Sequence, residues 1–282
     1  MSREAMANER FDLRAVEEAI VGTEFAGHLM HFSVVASTND LAHNATKGGA
    51  RHGVWIADEQ TAGRGRGSHA WHSASGDGLY LSALVSPPIP MQNALGLSMR
   101  VALAVQSAIA LAAGFRVREQ IDIRWPNDLL LNGRKCCGIL IETSAQPAPA
   151  TGPAILRHAV IGIGVNVNHT VFSPEIDSIA TSLRRELPDS SQPIAREPLA
   201  AAILVALDQE IRRLTASDAD SSHDLAQFSS WISGKRVRVE ARDDDPGGYT
   251  GITDGLDKDG FLRVNGDDGQ LHTVLSGGLR EA

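Results

Sequence analysis

Apolar side chains return every three to four positions over residues 12–20, 93–113 and 196–214, a spacing that predicts helices. In the first stretch Asp12 supplies an N-cap, and Leu13, Val16 and Ile20 share a face. The second ends at Gly114, a normal helix stop; its most apolar part, 101–115, holds Gln106 and Ser107, falls short of a membrane span and reads as a buried core helix. The third carries Leu199, Ile203, Leu207, Ile211 and Leu214 on one stripe. Alternating or continuous apolar runs at 31–35, 54–57, 79–85, 121–125 and 159–168 predict strands. Ser37-Thr38-Asn39-Asp40 should open a helix beginning at Leu41, where such residues often serve only as an N-cap.

Asn132-Gly133 between two apolar runs is a strong hairpin signal. It folds Lys135 back towards Asn127 and Asp128, so that a lysine and two polar residues meet at one end of a sheet. The plainer alternative is a solvated turn with a surface ion pair. The proline- and alanine-rich segment 146–153 reads as a mobile hairpin tip, and Asn166 and Asn168, inside an apolar run, need partners from structure or from a ligand. After a polar, acidic segment at 217–224, short strands at 236–241, 249–254, 261–265 and 271–275 alternate with glycine turns such as Asp259-Gly260, the pattern of a small β-barrel. The expected class is α+β: a flexible stretch 1–10, a mixed sheet with helices over 11–220, and a small barrel domain over 231–282.

Composition narrows the chemistry. With 43% hydrophobic and 21% charged residues, the 282-residue chain suits one large or two modest globular domains. A net charge of −8 argues against a broad nucleic-acid-binding surface. The two cysteines are the neighbours Cys136 and Cys137, read as small buried hydrophobes rather than a disulfide or redox pair. His69 and His72 have metal-like spacing but no surrounding ligand cluster. The polar N-terminus lacks the apolar core of a signal peptide, so a soluble, cytoplasmic protein without membrane contact is expected.

The segment Gly63-Arg64-Gly65-Arg66-Gly67-Ser68-His69-Ala70-Trp71 follows the 54–57 strand. Glycines let backbone approach a ligand, and arginines offer charged forks for carboxylate or phosphate. If extended, the segment would point Arg64 and Arg66 to one face. It reads either as a mobile cover for an anionic small molecule or as a solvated surface loop, with a weak nucleic-acid tether as a further alternative. Gly65, Gly67 and Ala70 fit a dinucleotide fingerprint, but the residues after Trp71 do not open the helix it requires, and no G-x-x-x-x-G-K-[ST] loop occurs.

Taken in order, Ser37-Thr38-Asn39, Gln60 with Gly63-Arg64-Gly65-Arg66, Trp125-Pro126-Asn127-Asp128, Arg134-Lys135 with Gly138-Ile139-Leu140-Ile141-Glu142, and Gly162-Ile163-Gly164-Val165-Asn166 resemble the biotin–protein ligases from about residue 10 to the C-terminus. The resemblance implies a catalytic domain like class II aminoacyl-tRNA synthetases, with an SH3-like barrel that includes Gly277-Gly278. It implies that Ser37, Thr38, Asn39, Gln60, Arg64, Gly65, Arg66, Lys135 and Gly138 bind biotin. Arg66, Trp71, Asn127, Asp128, Lys135 and Asn166 would face ATP, Lys135 and Arg66 would be catalytic, and Asp128 would stand near Mg²⁺, held indirectly. The implied partner is a biotin carboxyl carrier protein of acetyl-CoA carboxylase or another biotin carboxylase, and the implied enzyme a monomer or homodimer. Two departures stand out: the second half of the loop lacks extra basic residues, and Arg124 stands where lysine is common. About thirty residues precede Ser37, too few for a helix-turn-helix domain, so no DNA-binding repressor activity is expected. A lipoate–protein ligase and a non-catalytic ligand-binding regulator are the competing readings.

Overall fold

The computed structural model describes all residues except 1–10, 68–69, 118, 147–152, 188–190, 217–226, 228, 241–247, 258 and 276–277. The expected flexible start, the polar segment 217–224 and most of the 146–153 tip therefore lie outside the described residues. Helix α1 (Leu13–Ala19) is capped by Asp12, whose side chain accepts from the Ala15 amide. Val16 and Ile20 are fully buried behind it.

The main sheet has seven strands in the order β1-β2-β3-β7-β6-β5-β4. These are β1 (Leu29–Val35), β2 (Gly53–Gln60), β3 (Gly78–Val85), β4 (Ile121–Arg124), β5 (Asp128–Leu131), β6 (Arg134–Ala145) and β7 (Leu156–Asn166). Strands β1 and β2 are parallel, joined through α2 (Thr38–Lys47), and the other pairs are antiparallel. Side chains alternate between the two faces of a strand, and the sheet uses both. Leu79, Leu81, Ala83, Ile161, Ile163 and Val165 enter the main core with α3 (Ala94–Ala113) and α5 (Arg196–Thr215), which follows the short α4 (Leu183–Glu186). The opposite face carries Leu84 and Val160, which join Ala42 of α2 and Trp55 in a second small cluster. That face also holds Gly138, Leu140 and Glu142 opposite Gly164, Gly162 and Val160, and here the functional cleft forms.

Helix α3 ends at Gly114 in the left-handed region, as its sequence predicts. By length and composition it is apolar enough to cross a membrane, against the sequence expectation, yet most of it is buried against the sheet and α5. The sequence expectation took only the 101–115 stretch; the further residues from Ala94 supply the length of a span, and Ala, Val, Leu and Ile around Gln106 and Ser107 keep the mean hydropathy high. Helix α2 begins at Thr38, not Leu41. Ser37 is extended and makes no capping bond with its side chain; the acceptor for the Thr38 amide is instead Gln60 Oε1 of β2, at 2.9 Å.

The second sheet is antiparallel in the order β11-β10-β9-β8-β12, from β8 (Ser233–Val239), β9 (Tyr249–Leu256), β10 (Leu262–Gly266), β11 (Leu271–Val274) and β12 (Leu279–Glu281). Among the described residues no ladder joins β11 to β12. The short strand β12 has no periodicity of its own in the sequence; pairing with β8 defines it. Trp231, Ile232, Val237, Val264 and Leu279 belong to the same apolar cluster as the main sheet, so the two sheets share one core.

Candidate active site

A cleft of about 1860 Å³ opens on the α2 face of the large sheet and extends to Trp231 and β12 of the small one. Its floor is made of glycines. Gly138 and Gly164 are register partners across β6 and β7, and the indole of Trp71 lies on both. A Cβ on Gly138 would come within 2.8 Å of that ring, and one on Gly164 within 2.5 Å. One on Gly162 would stand 2.3 Å from Asn39 Oδ1. Glycine inside a strand marks a close approach from above, and here the sheet is stripped of side chains so that flat groups can rest on it.

One end of the cleft is neutral and polar. Thr38 donates through its amide and its hydroxyl to Gln60 Oε1, and Gln60 Nε2 donates to Ser73 Oγ at 3.0 Å. Ser82, from the middle of β3, lies 2.7 Å from Thr38 Oγ1 and 2.5 Å from Asn39 Oδ1. Ser37, Thr38 and Asn39 are all buried. Buried polar groups need such mutual satisfaction, and the result is a rigid, directional wall suited to an uncharged hydrogen-bonding head group.

The other end is cationic. Lys135 Nζ is 2.7 Å from Asp128 Oδ1, and Arg124 donates to Asp128 Oδ2 at 2.6 Å. Burial raises the Asp128 carboxyl, but the charges and hydrogen bonds of Lys135 and Arg124 outweigh it and hold the group below the usual carboxylate range. Arg66 donates to Asn127 Oδ1 at 2.9 Å, and Asn127 is itself fixed by donating to Ile139 O at 2.6 Å. Lys135 and Arg124 thus hold one carboxylate between them, and Arg66 adds a third cation beside it at Asn127. The excess positive charge, partly buried, is suited to receiving phosphate and carboxylate together.

The structure brings together nearly all the residues the sequence singled out. Arg64 and Arg66 both line the cleft but take different partners. The loop is not extended: Arg64 bridges back to Ala70, the Trp71 amide donates to Gly63 O, and Gly67 has φ of 63°. Arg64 reaches Glu142 and Asp40, while Arg66 goes to Asn127. Asn166 lines the cleft but donates to Thr181 O, and Asn168 exchanges bonds with Ile194, so both amides have structural partners. Cys136 and Cys137 are fully buried thiols, pushed up by desolvation, as expected of core residues.

Sequence reasoning gave no role to Glu142, though that residue stands in one of its motifs, and missed Ser73, Ser82 and the wall formed by Ile176, Ser178, Ile179 and Ala180. The wall is held by Lys135 itself, whose amide donates to Ile179 O and whose carbonyl accepts from Thr181. The polar Ser82 within an otherwise apolar strand was an available signal. Among the described residues no group of His, Cys, Asp and Glu could hold a metal. Both Asp128 oxygens already face cations, so this donor set does not fit a protein-held Mg²⁺.

Comparison with known proteins gives a consistent result. The Biotin/lipoate A/B protein ligase family matches residues 31–166, and the Biotin protein ligase C terminal domain matches residues 232–277. The Bifunctional ligase/repressor BirA of Bacillus subtilis is 35% identical over 251 residues, covering 88% of this chain and 72% of that protein. The Biotin–[acetyl-CoA-carboxylase] ligase of Mycobacterium tuberculosis is 32% identical over 278 residues, 95% of this chain and 94% of that one. The fold is that of the biotin protein ligase from Aquifex aeolicus, solved in complex with biotin and ATP: TM-score 0.71, 23% identity, 91% of this chain and 100% of that one.

Proposed function

Because the chain belongs to the biotin protein ligase family, we propose that this ligase activates biotin with ATP to biotinyl-5′-AMP and transfers biotin to a carrier-protein lysine. The observation that carries this reading is the polarity of the cleft. A hydrogen-bonding wall of uncharged side chains, Thr38, Asn39 and Gln60, backed by the paired Glu142 and Arg64, faces a cation cluster at Lys135, Arg66 and Arg124 across a glycine floor. An acyl-adenylate has that same order of groups: uncharged head, apolar tail, phosphate.

In the first step a biotin carboxylate oxygen bonds to the α-phosphorus of ATP, and the bond to the leaving pyrophosphate breaks. Two anions must meet, and Lys135 and Arg66 offset the charge that gathers there. Asn127 orients Arg66, and Asp128 with Arg124 orients Lys135. Mg²⁺ enters with ATP as part of the substrate. In the second step the lysine amine of the carrier attacks the acyl carbonyl, AMP leaves with the bonding electrons, and the amine proton passes to solvent. The mixed anhydride is hydrolysable, and the 63–71 loop shields it from water.

We read Ser37, Thr38, Asn39, Gln60 and the Arg64–Arg66 backbone as the biotin end, and Trp71, Asn127, Asp128 and Asn166 as the nucleotide side. The main sheet is taken for the synthetase-like catalytic domain and the small sheet for an SH3-like module. The acceptor is expected to be the biotin carboxyl carrier protein of acetyl-CoA carboxylase or of another biotin carboxylase. The acidic balance leads us to expect no sequence-specific DNA binding.

ATP–pyrophosphate exchange measured with biotin and with lipoate, followed by transfer to an apo carrier, tests the proposal. Exchange with biotin and labelling of the carrier are expected. Exchange with lipoate alone would make the protein a lipoate ligase. Biotin binding without exchange would make it a regulator.

A further inference from the structure

We infer that Glu142 is a positioning residue: its carboxylate pins the 63–71 loop to the cleft wall through Arg64 and orients the Asn39 amide. Glu142 lies on β6, on the cleft face, beyond Leu140 and opposite Val160. Its two oxygens receive both terminal nitrogens of Arg64, Nη1 to Oε1 at 3.1 Å and Nη2 to Oε2 at 2.9 Å. A bidentate guanidinium–carboxylate pair fixes direction as well as distance, which a single surface ion pair does not. Asp40 Oδ1 lies 3.0 Å from the same Nη2, and His43 Nε2 lies 3.0 Å from Glu142 Oε2, so α2 supports the pin.

The same Oε2 accepts from Asn39 Nδ2 at 2.8 Å. A carboxylate can only accept, so it forces the Asn39 amide to turn its NH₂ outward and its Oδ1 towards Ser82 and over Gly162. One side chain therefore sets both the cover of the cleft and the orientation of a polar group in its wall. Burial would raise the Glu142 carboxyl, but hydrogen bonds from Asn39 and His43 and the charge of Arg64 together outweigh it and hold the group below the usual range. It is ionised at neutral pH.

The consequence for catalysis rests on the proposed reading of the cleft; the pin itself does not. Two readouts on the full chain separate them. Glu142→Gln keeps the size and the acceptor for Asn39 but loses the charge. Tryptic cleavage at Arg64 and Arg66 in the ligand-free protein should speed up about fivefold, the size expected for a partly exposed bidentate pair. In pyrophosphate exchange, KM for biotin should rise by about the same factor while kcat changes less than about twofold. Glu142→Asp should recover part of both effects, whereas a merely structural role would lower thermal stability and kcat together and favour neither variant.

Arg64→Met should raise KM as Glu142→Gln does, and the double variant should add nothing further. Unchanged cleavage and KM in Glu142→Gln, or additive effects in the double variant, would overturn the inference. Faster cleavage in Glu142→Gln, with no biotin-dependent exchange in the wild type, would support the pin and sink the catalytic reading instead.

Discussion

Lys135 Nζ meets Asp128 Oδ1 at 2.7 Å although the two residues are not opposite one another in the sheet. Asp128 is opposite Gly138 and Lys135 is opposite Leu130, and the register shifts between Leu129 and Leu130, where Cys136 is the extra residue of a β-bulge. In a regular strand, residues three apart face opposite ways. The bulge re-phases β6, so that Lys135 and Gly138 share the cleft face: a Cβ on Gly138 would lie 3.3 Å from Nζ. The ammonium is thereby carried over the floor, 5.3 Å from the Trp71 ring centre.

Lys135→Ala should lower biotinyl-adenylate formation by about 10²–10³, the range for one preorganised charge at a developing anion. The side chain is 31% exposed, so the fold should survive. Single-turnover adenylation, with thermal unfolding as control, measures both; a wild-type rate would remove Lys135 from the reaction.

Arg66→Ala should weaken retention of the adenylate more than binding of biotin, because its guanidinium is held by Asn127 at the cationic end. Release of free adenylate should rise about tenfold, the scale of one charge-assisted contact. Rapid filtration of enzyme loaded with labelled biotin and ATP reads the leak, and equal losses of biotin and adenylate affinity would contradict the assignment.

Gly164→Ala should displace the Trp71 indole, whose Nε1 would lie 2.5 Å from the new methyl group. The indole is a movable side chain rather than backbone, so stability should change by no more than about 1 kcal/mol. Tryptophan emission should shift in the ligand-free state, and a Trp71→Phe background should abolish the shift. An unaltered spectrum with normal ligand affinity would mean that the floor tolerates a side chain.

Acid should destabilise the protein through His169. The ring is buried, stacked on Phe172 at 5.2 Å, with Nε2 3.5 Å from the Tyr80 hydroxyl, and desolvation pushes its pKa down to about 4 from 6.5. Between these values the unfolded chain binds the proton that the folded one refuses. This contribution is full above pH 6.5 and is lost progressively as pH falls towards 4, up to roughly 3 kcal/mol. Denaturant unfolding at pH 7, 6 and 5 should show a shallower decline for His169→Gln; parallel declines would exclude His169 as the cause.

Much of the fold was legible because the signals are local. The Asp12 cap, the left-handed Gly114, the Asn132-Gly133 turn and the Leu199–Leu214 stripe each depend on a few neighbouring residues, and each stands where the sequence put it. The convergence of Lys135 on Asp128 was also readable, since a tight hairpin returns the chain on itself. The different partners of Arg64 and Arg66 were not readable, because alternation holds only for an extended segment and this one folds back so that Arg64 bridges to Ala70.

What the sequence by itself determined is therefore the inventory: which segments are helix and strand, and which side chains bring charge, amide and hydroxyl to the site. Only the tertiary structure decided their partners. Gln60 caps α2 from another strand, Glu142 takes Arg64 from 78 positions away, and Gly138 meets Gly164 only because β6 and β7 pair in one register. Such contacts depend on register and sheet order, which many residues fix collectively through burial, and no short stretch of sequence encodes them.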